Sequence, residues 1–431
     1  MKSDFTRSVQ TLVNHIGKKT RVMVWPYGQF NDVAVQLARQ AGMPHYFSLG
    51  EKIINKVGDK HIGRLLLNAE TDLNTVKNYL DGIDESKQIQ RVLHVDLDYV
   101  YDADKAQQAK NLDKLIDRIY RYGVTTVYLQ AFSDPDGDGV ADALYFPNKY
   151  LPVRDDIFGR IAWQLQTRAG VQVYAWMPVL AFDLRKNVKE AEYVIDSRTG
   201  KPSTKAYLRL SPYNKQNVEI IKSIYNDLSF YTKFNGILFH DDAFLTDFEG
   251  AEGDHAEGMV SPQAKQKTQD LIQLTHQLTD ALKPYFLRGS YSLKTARNLY
   301  ASVITNPNAE EWLAQNLKTL TDNYDTTAIM AMPYMENEQP ISQEEAYQWF
   351  ASLIENVKAQ APLDKVLFEF QAVNWRTQKP IPESELIDWM KLLQKNHIYS
   401  YGYYPDNFLT NQPDLNKMKP YFSVNTNVGK P

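Results

Sequence analysis

Past residue 88, short apolar runs alternate with helical patterns eight times, and this repeat limits the fold more than any other feature of the chain. The runs are LHVDLDYV, TTVYLQAF, VQVYAWMPVL, GILFHDD, SLKTARN, AIMAMPY, VLFEFQAV and YSYGYYP. Apolar runs of this length separated by helical patterns predict parallel strands joined by crossover helices. Eight is the number of a closed barrel, so the fold expected is α/β, a (β/α)8 TIM-like barrel enlarged by loop insertions beyond the usual length. The boundary is placed so that residues 1–87 form one region and residues 88–431 the barrel.

Barrel enzymes build their sites at the carboxyl ends of the strands. Each predicted strand here ends in polar or aromatic residues: Asp96 and Asp98, then Gln130, Trp176, His240 with Asp241 and Asp242, Arg297 with Asn298, Tyr334 with Glu336, Gln371 with Trp375, and Tyr404 with Asp406. These endings would converge on one cleft. Along LHVDLDYV a period of two puts His94, Asp96 and Asp98 on one face, so the first strand would offer a carboxylate cluster to the barrel mouth or, on the plainer reading, a solvated edge.

Adjacent Asp241 and Asp242 fit a helix N-cap pair, since the start of a helix favours carboxylates. They also fit acid–base chemistry. Neighbouring anions in a cleft do not ionise equally easily, and that separation makes an acid and a base from one residue type. Glycoside hydrolysis needs such a division. Adjacent residues are too close to flank a sugar from two sides. Either the substrate's own acetamide attacks while one aspartate orients it and the other donates a proton, or a second carboxylate comes from Asp96, Asp98 or Glu336. Tyr99, Trp176, Tyr334, Trp375, Tyr403 and Tyr404 lie beside the polar endings, where aromatic faces can stack on sugar rings.

Composition narrows the chemistry. With 48 basic and 52 acidic residues among 431, the formal charge of −4 gives no footprint for nucleic acid. Neutral or cationic ligands fit better. The absence of cysteine removes thiolate metal sites, a Cys nucleophile and disulfides. No two of the eight histidines have the i, i+4 spacing of a helical metal pair, and neither a G-x-S-x-G elbow nor a P-loop occurs. No metal or cofactor is called for. In DPDGDGVAD, Asp134, Asp136, Asp138 and Gly139 have the spacing of the first half of a calcium loop, but Tyr145 stands where the closing Glu would be. Otherwise this is a tight acidic loop lining the cleft. The start MKSDFTRSVQ lacks the apolar core that signal peptides need, so an exported protein would carry its signal outside this sequence.

Ahead of the barrel, Phe5, Val9, Leu12, Val13 and Ile16 recur at helical spacing. RVMVWPYG reads as a buried strand meeting a turn, a second helix covers roughly Asn31–Gln40, and TDLNTVKNYLDGIDESKQIQ reads as a polar helix and connector.

The stretches HVDLDYVYD, VYLQAFSDPDGDG, YFPN, YAWMPVL, RLSPY, GILFHDDA, KTARN, AIMAMPYME and YGYYPDNFL together resemble the carboxyl-terminal glycoside hydrolase domain of the PgaB family, the periplasmic poly-β-1,6-N-acetyl-D-glucosamine deacetylases of biofilm-forming Gram-negative bacteria. The likeness runs from about Arg91 to Pro413. It implies a barrel that binds partially deacetylated polymer in an acidic groove and cleaves it internally, with an aspartate of the FHDDA motif, here Phe239 to Ala243, essential. Asp241 and Asp242 are carried over jointly. Asp96, Asp98 and Asp134 are expected to bind glucosamine ammonium groups, and Trp176, Tyr334 and Trp375 to stack sugars. Tyr99, Gln130, His240, Arg297, Glu336, Gln371, Tyr404 and Asp406 complete the expected substrate-binding set. Residues 1–87, with VMVWPYGQFND, resemble the last part of the family's polysaccharide deacetylase domain. The Asp-Asp and H-x-x-x-H metal motifs of that domain lie upstream of WPYG and are not in this sequence, which puts deacetylation by it in doubt. Export, attachment to the outer membrane and an outer-membrane export porin as partner are implied by the family alone. A polysaccharide-binding module that guides the polymer without cutting it needs the same aromatics and carboxylates.

Overall fold

The computed structural model describes residues 2–49, 55–64, 89–249, 260–286 and 293–424. The polar helix expected after residue 70 lies almost wholly outside the described residues. Two compact units divide the chain: Met1–Gln88 with Lys283–Ser292, and Ile89–Leu282 with Leu293–Pro431.

In the first unit, helices α1 (Lys2–Ile16) and α2 (Asp32–Gln40) accompany a parallel sheet of β1 (Val22–Val24), β2 (His45–Leu49) and β3 (His61–Arg64), in that order. Asn31 starts α2 by accepting the Ala34 N–H at 2.9 Å, as an N-cap does. The core is small: Val9, Trp25, Ala34, Val35, Ala38 and Met43, with Phe5, Phe30 and Tyr46 partly buried against it.

The second unit is the closed barrel. Its strands are β4 (Arg91–Val95), β5 (Thr126–Gln130), β6 (Gln172–Met177), β7 (Gly236–Phe239), β8 (Lys294–Tyr300), β9 (Thr326–Met330), β10 (Val366–Gln371) and β11 (Tyr401–Tyr404). Each pairs in parallel with the next, and β11 closes on β4 through Tyr401 opposite Arg91. The crossover helices are α3 (Lys105–Tyr122), α4 (Phe158–Gln164), α5 (Lys215–Tyr231), α6 (Pro262–Phe286), α7 (Leu317–Asn323), α8 (Gln343–Gln360) and α9 (Glu383–Lys395), and α10 (Leu415–Phe422) follows the last strand. Local signals set their limits. Asp104 caps the start of α3, and Gly123, at φ 71°, ends it in the left-handed conformation that an unbranched glycine adopts readily. A Ser342–Glu345 capping box starts α8.

Two strand limits differ from the sequence reading. The first strand ends at Val95, and a helical turn, Leu97–Val100, begins with Asp96 at its N-cap position, so the alternation through Asp98 is not strand periodicity. The fifth strand runs on to Tyr300, two residues past the polar Arg297–Asn298 pair. Polar residues can sit inside a central strand because the barrel interior supplies partners: His94 Nε2 is 2.7 Å from Glu369 Oε1, and Asn298 Nδ2 donates to Glu369 Oε2 at 2.7 Å. A lone buried charge would be costly, and this network is what keeps Glu369 tolerable at full burial.

Barrel closure brings backbones close at Gly402, where an added Cβ would lie 2.5 Å from the Val92 carbonyl oxygen. Gly402→Ala is therefore expected to lower unfolding free energy by about 1–3 kcal/mol, read from urea denaturation of the full chain.

Candidate active site

Asp241 and Asp242 occupy the turn directly after β7, and the structure gives them opposite surroundings. The Asp242 carboxylate is fully buried. It accepts backbone N–H bonds from Val179 (3.0 Å to each oxygen), Leu180 (2.5 Å) and Ala181 (2.6 Å), all in the segment that leaves β6. Burial pushes its carboxyl above the ordinary value, against the pull of His240 and of these N–H groups. Every partner is a donor, an arrangement that suits an anion and that an acid O–H would oppose. Asp242 ties the end of the third barrel strand to the end of the fourth.

Asp241 is also buried, but among side chains rather than backbone donors. Its Oδ2 accepts from the phenols of Tyr207 and Tyr300, both at 2.8 Å, while the buried Oδ1 is turned to His240. His240 Nδ1 lies 3.0 Å from Oδ1 and 2.9 Å from the indole Nε1 of Trp176. An indole only donates, so a neutral His240 uses Nδ1 to accept from Trp176, and a protonated one turns that nitrogen's hydrogen to Asp241. Burial works to raise the Asp241 carboxyl. The His240 imidazole, Tyr300 and Tyr207 outweigh it and hold the group below the usual carboxylate range.

The other carboxyls of the mouth go the other way. Burial first, then the charge of Asp98, pushes Asp96 up to about 7, although the Tyr404 hydroxyl donates to its Oδ2 at 3.3 Å. Asp96 Oδ1 has no partner. Glu336 is likewise pushed up to about 7 by burial, against backbone N–H bonds from Ala301 (2.8 Å) and Ser302 (3.1 Å), and it feels the charge of Asp241. Burial also raises Asp134 to about 6, against N–H bonds from its own loop. One carboxyl held ionised beside others holding protons near neutrality is the division that acid–base hydrolysis uses.

Aromatic rings line the same space. Trp176 meets His94, Phe132, His240 and Tyr404 at centroid distances of 5.2–5.6 Å. It is only 5% exposed, so it packs the floor rather than offering a free face for a sugar. Trp375 stacks on Tyr404 at 6.2 Å, and Trp375, Tyr404, Tyr334 and Tyr99 keep partly exposed faces. The Tyr334 hydroxyl donates to Glu385.

Several residues expected to touch substrate are committed elsewhere. Asp98 forms an ion pair with Arg154 at 2.5 Å and accepts from Ser133, Tyr145 and the Asp134 N–H, which leaves little of its charge for an ammonium group. Gln130 lies buried beneath it and accepts the Asp98 N–H at 3.4 Å. Arg297, fully buried, donates to the Tyr324 hydroxyl and the Ala243 carbonyl and so supports the Asp241–Asp242 turn from below. Gln371 closes the Tyr334–Met335 and Val373 backbone. Asp406 is held by the Arg118 guanidinium and the Tyr403 hydroxyl, away from the mouth. In each case a polar strand ending satisfies buried backbone or charge. Asp134, Asp136 and Asp138 have carboxylate oxygens within 4.8 Å of one another, but Asp134 spends both of its oxygens on the N–H groups of Gly137, Asp138 and Gly139.

A closed parallel β/α barrel with a divided carboxylate set and aromatic rings at its carboxyl end defines the glycoside hydrolase class of barrel. The comparisons agree. A family model described as "Hypothetical glycosyl hydrolase family 13" matches residues 94–404, and the chain belongs to that family. A polysaccharide deacetylase model matches residues 1–46. The chain is 38% identical to the poly-beta-1,6-N-acetyl-D-glucosamine N-deacetylase of Escherichia coli (strain K12) over 448 residues, covering 98% of this chain and 66% of that one. The counterpart from Escherichia coli O157:H7 is 37% identical over the same shares. The chain thus spans about two thirds of the length of these relatives. Among solved structures, the PgaB (BpsB) glycoside hydrolase domain from Bordetella bronchiseptica is 38% identical, with a TM-score of 0.71, covering 79% of this chain and 100% of that one.

Two predictions follow from the carboxyls. Asp242→Asn places an amide where three N–H donors converge and should lower unfolding free energy by about 1–3 kcal/mol in the same denaturation series. Asp96 and Glu336 have folded-state values above their unfolded ones. Their stabilising share is fully present below about pH 4 and is lost as pH rises through about 7, because the folded state binds the extra protons. The melting temperature should fall on going from pH 5 to pH 8, with a shallower fall in Asp96→Asn.

Proposed function

We propose that the chain is an endo-acting glycoside hydrolase that binds and cleaves partially de-N-acetylated poly-β-1,6-N-acetyl-D-glucosamine in exopolysaccharide processing. The observation that carries this reading is Asp241: a buried carboxylate held ionised by two phenols and the His240 imidazole, among carboxyls that hold protons near pH 7. Similarity to N-deacetylases named for this polymer supports the substrate. Asp241 acts on the sugar, as the base or as the group that orients the substrate's acetamide. Asp96 or Glu336 supplies the proton to the leaving oxygen, since each holds one at neutral pH. Asp242 is the anchor of the turn. Trp375, Tyr404, Tyr334 and Tyr99 provide ring faces.

Residues 1–87 are, on this proposal, the last part of a polysaccharide deacetylase domain, a reading supported by the deacetylase match to residues 1–46. Residues 88–431 form the hydrolase domain. A periplasmic location, an outer-membrane anchor and an export porin as partner belong to the same proposal. No helix among the described residues is long and apolar enough to cross a membrane.

The test is incubation of the full chain with partly deacetylated polymer. New reducing ends should appear, and Asp241→Asn should form them about 100-fold more slowly or worse while staying folded. No new reducing ends from the parent chain, or equal product ladders from parent and variant, would contradict the reading.

A further inference from the structure

We propose that the acidic loop Asp134–Val140 is a positioning device for Asp241: its backbone at Gly139 props the Tyr207 ring where the phenol reaches the carboxylate. The inference rests on the reading of Asp241 as the acting group and assigns to that reaction two positioning residues, Tyr207 and Gly139.

The root of the loop is fixed. The Asp134 N–H donates to Asp98 Oδ2 at 3.1 Å, and Asp98 is itself held by Arg154 and Tyr145. Asp134 then folds the loop on itself by accepting the N–H groups of Gly137 (2.9 Å), Asp138 (3.1 Å) and Gly139 (2.9 Å). At the far side Gly139, at φ +79°, lies so close to Tyr207 that any Cβ there would overlap Cε1 and Cδ1 of the ring. The loop therefore presses on Tyr207 with backbone, which cannot yield as a side chain can.

Tyr207 is held from behind as well. Arg209, buried against Glu249 with N–O distances of 3.0 and 2.6 Å, donates to the Phe244 carbonyl at 2.5 Å and to the Tyr207 carbonyl at 3.4 Å. Ala206, just before Tyr207, sits at φ +58°, a left-handed conformation that residues with a Cβ seldom adopt. The tyrosine's aim is thus imposed by its surroundings. Its hydroxyl donates to Asp241 Oδ2 at 2.8 Å, the oxygen that Tyr300 also claims, while Oδ1 faces His240 Nδ1 at 3.0 Å. A phenol donating to a carboxylate favours the ionised form, so displacing Tyr207 moves the proton affinity of Asp241 upward.

A matched pair of substitutions separates this role from loop stability. Gly137, at φ +74°, belongs to the same loop, but an added Cβ there meets nothing within 4 Å. Gly139→Ala and Gly137→Ala carry the same left-handed strain, and only the first reaches Tyr207. In the full chain acting on partly deacetylated polymer, Gly139→Ala and Tyr207→Phe are expected to move the acidic limb of the kcat/KM profile to higher pH, with rates lower by roughly 100-fold in Gly139→Ala. Gly137→Ala should leave the limb in place. Carbon-13 titration of the Asp241 carboxyl should show the same upward shift, a readout that stands whether or not the chain cleaves the polymer. If Gly139→Ala does not fold, Asp134→Asn, which loosens the loop without adding an atom near Tyr207, takes its place in both measurements. An Asp241 titration unchanged in Gly139→Ala, or in its substitute, or shifted equally in Gly137→Ala, overturns the proposal.

Discussion

A single buried carboxylate holds the mouth of this barrel in shape. Asp242 gathers the N–H groups of Val179, Leu180 and Ala181, three donors that would otherwise end in a dry space with no acceptor. The bonds fasten the segment after β6 to the turn after β7, and the same turn is supported from below by Arg297 through the Ala243 carbonyl. Two adjacent aspartates coexist there because they do not share an environment. One is sealed among backbone donors, and the other is held by the side chains of Tyr207, Tyr300 and His240.

From that anchoring the electrostatics of the site follow. Hydroxyl donors and an imidazole keep Asp241 ionised in spite of burial, whereas Asp96 and Glu336 have too few compensating partners and hold protons to about pH 7. Burial acts on all three carboxyls in the same direction, so the number and kind of donors decides the outcome. His240 sits at the joint of this system. Its Nδ1 is shared between the indole of Trp176 and Asp241, so a proton on the ring re-partners one of them. The fold therefore provides rigid strand ends, and the loops between strands and helices provide the chemistry.

Much of the architecture was legible in the sequence. Eight apolar runs separated by helical patterns sufficed for the closed parallel barrel, because strands buried on both faces leave continuous apolar stretches. The convergence of His240, Asp241, Asp96, Tyr404 and Glu336 at the mouth could also be read, since residues at strand ends must meet in a barrel. What could not be read was direction. Gln371, Arg297 and Asp406 look in the sequence like strand endings, as the others do, yet they turn to backbone carbonyls, N–H groups and an arginine from a neighbouring helix, partners distant in sequence. Tyr300 escapes a sequence reading because the polar Arg297–Asn298 pair looks like the end of β8, whereas the strand runs two residues further. Tyr207 lies on an irregular segment with no period to mark it, and only the geometry shows its hydroxyl on Asp241. Along LHVDLDYV, a helical turn begins where the alternation still looked like strand.

On the proposed function, Asp241 is the carboxylate that meets the sugar and Asp242 the one that never does. A crystal structure of the full chain with a bound β-1,6-linked glucosamine oligomer tests this most directly. The expected result is an oligomer lying across the carboxyl end of the barrel, with the Asp241 carboxylate at hydrogen-bond distance from the sugar at the scissile linkage and Asp242 still enclosed by the Val179–Ala181 backbone. An oligomer bound away from Asp241, or one that draws Asp242 out to contact the sugar, would contradict it.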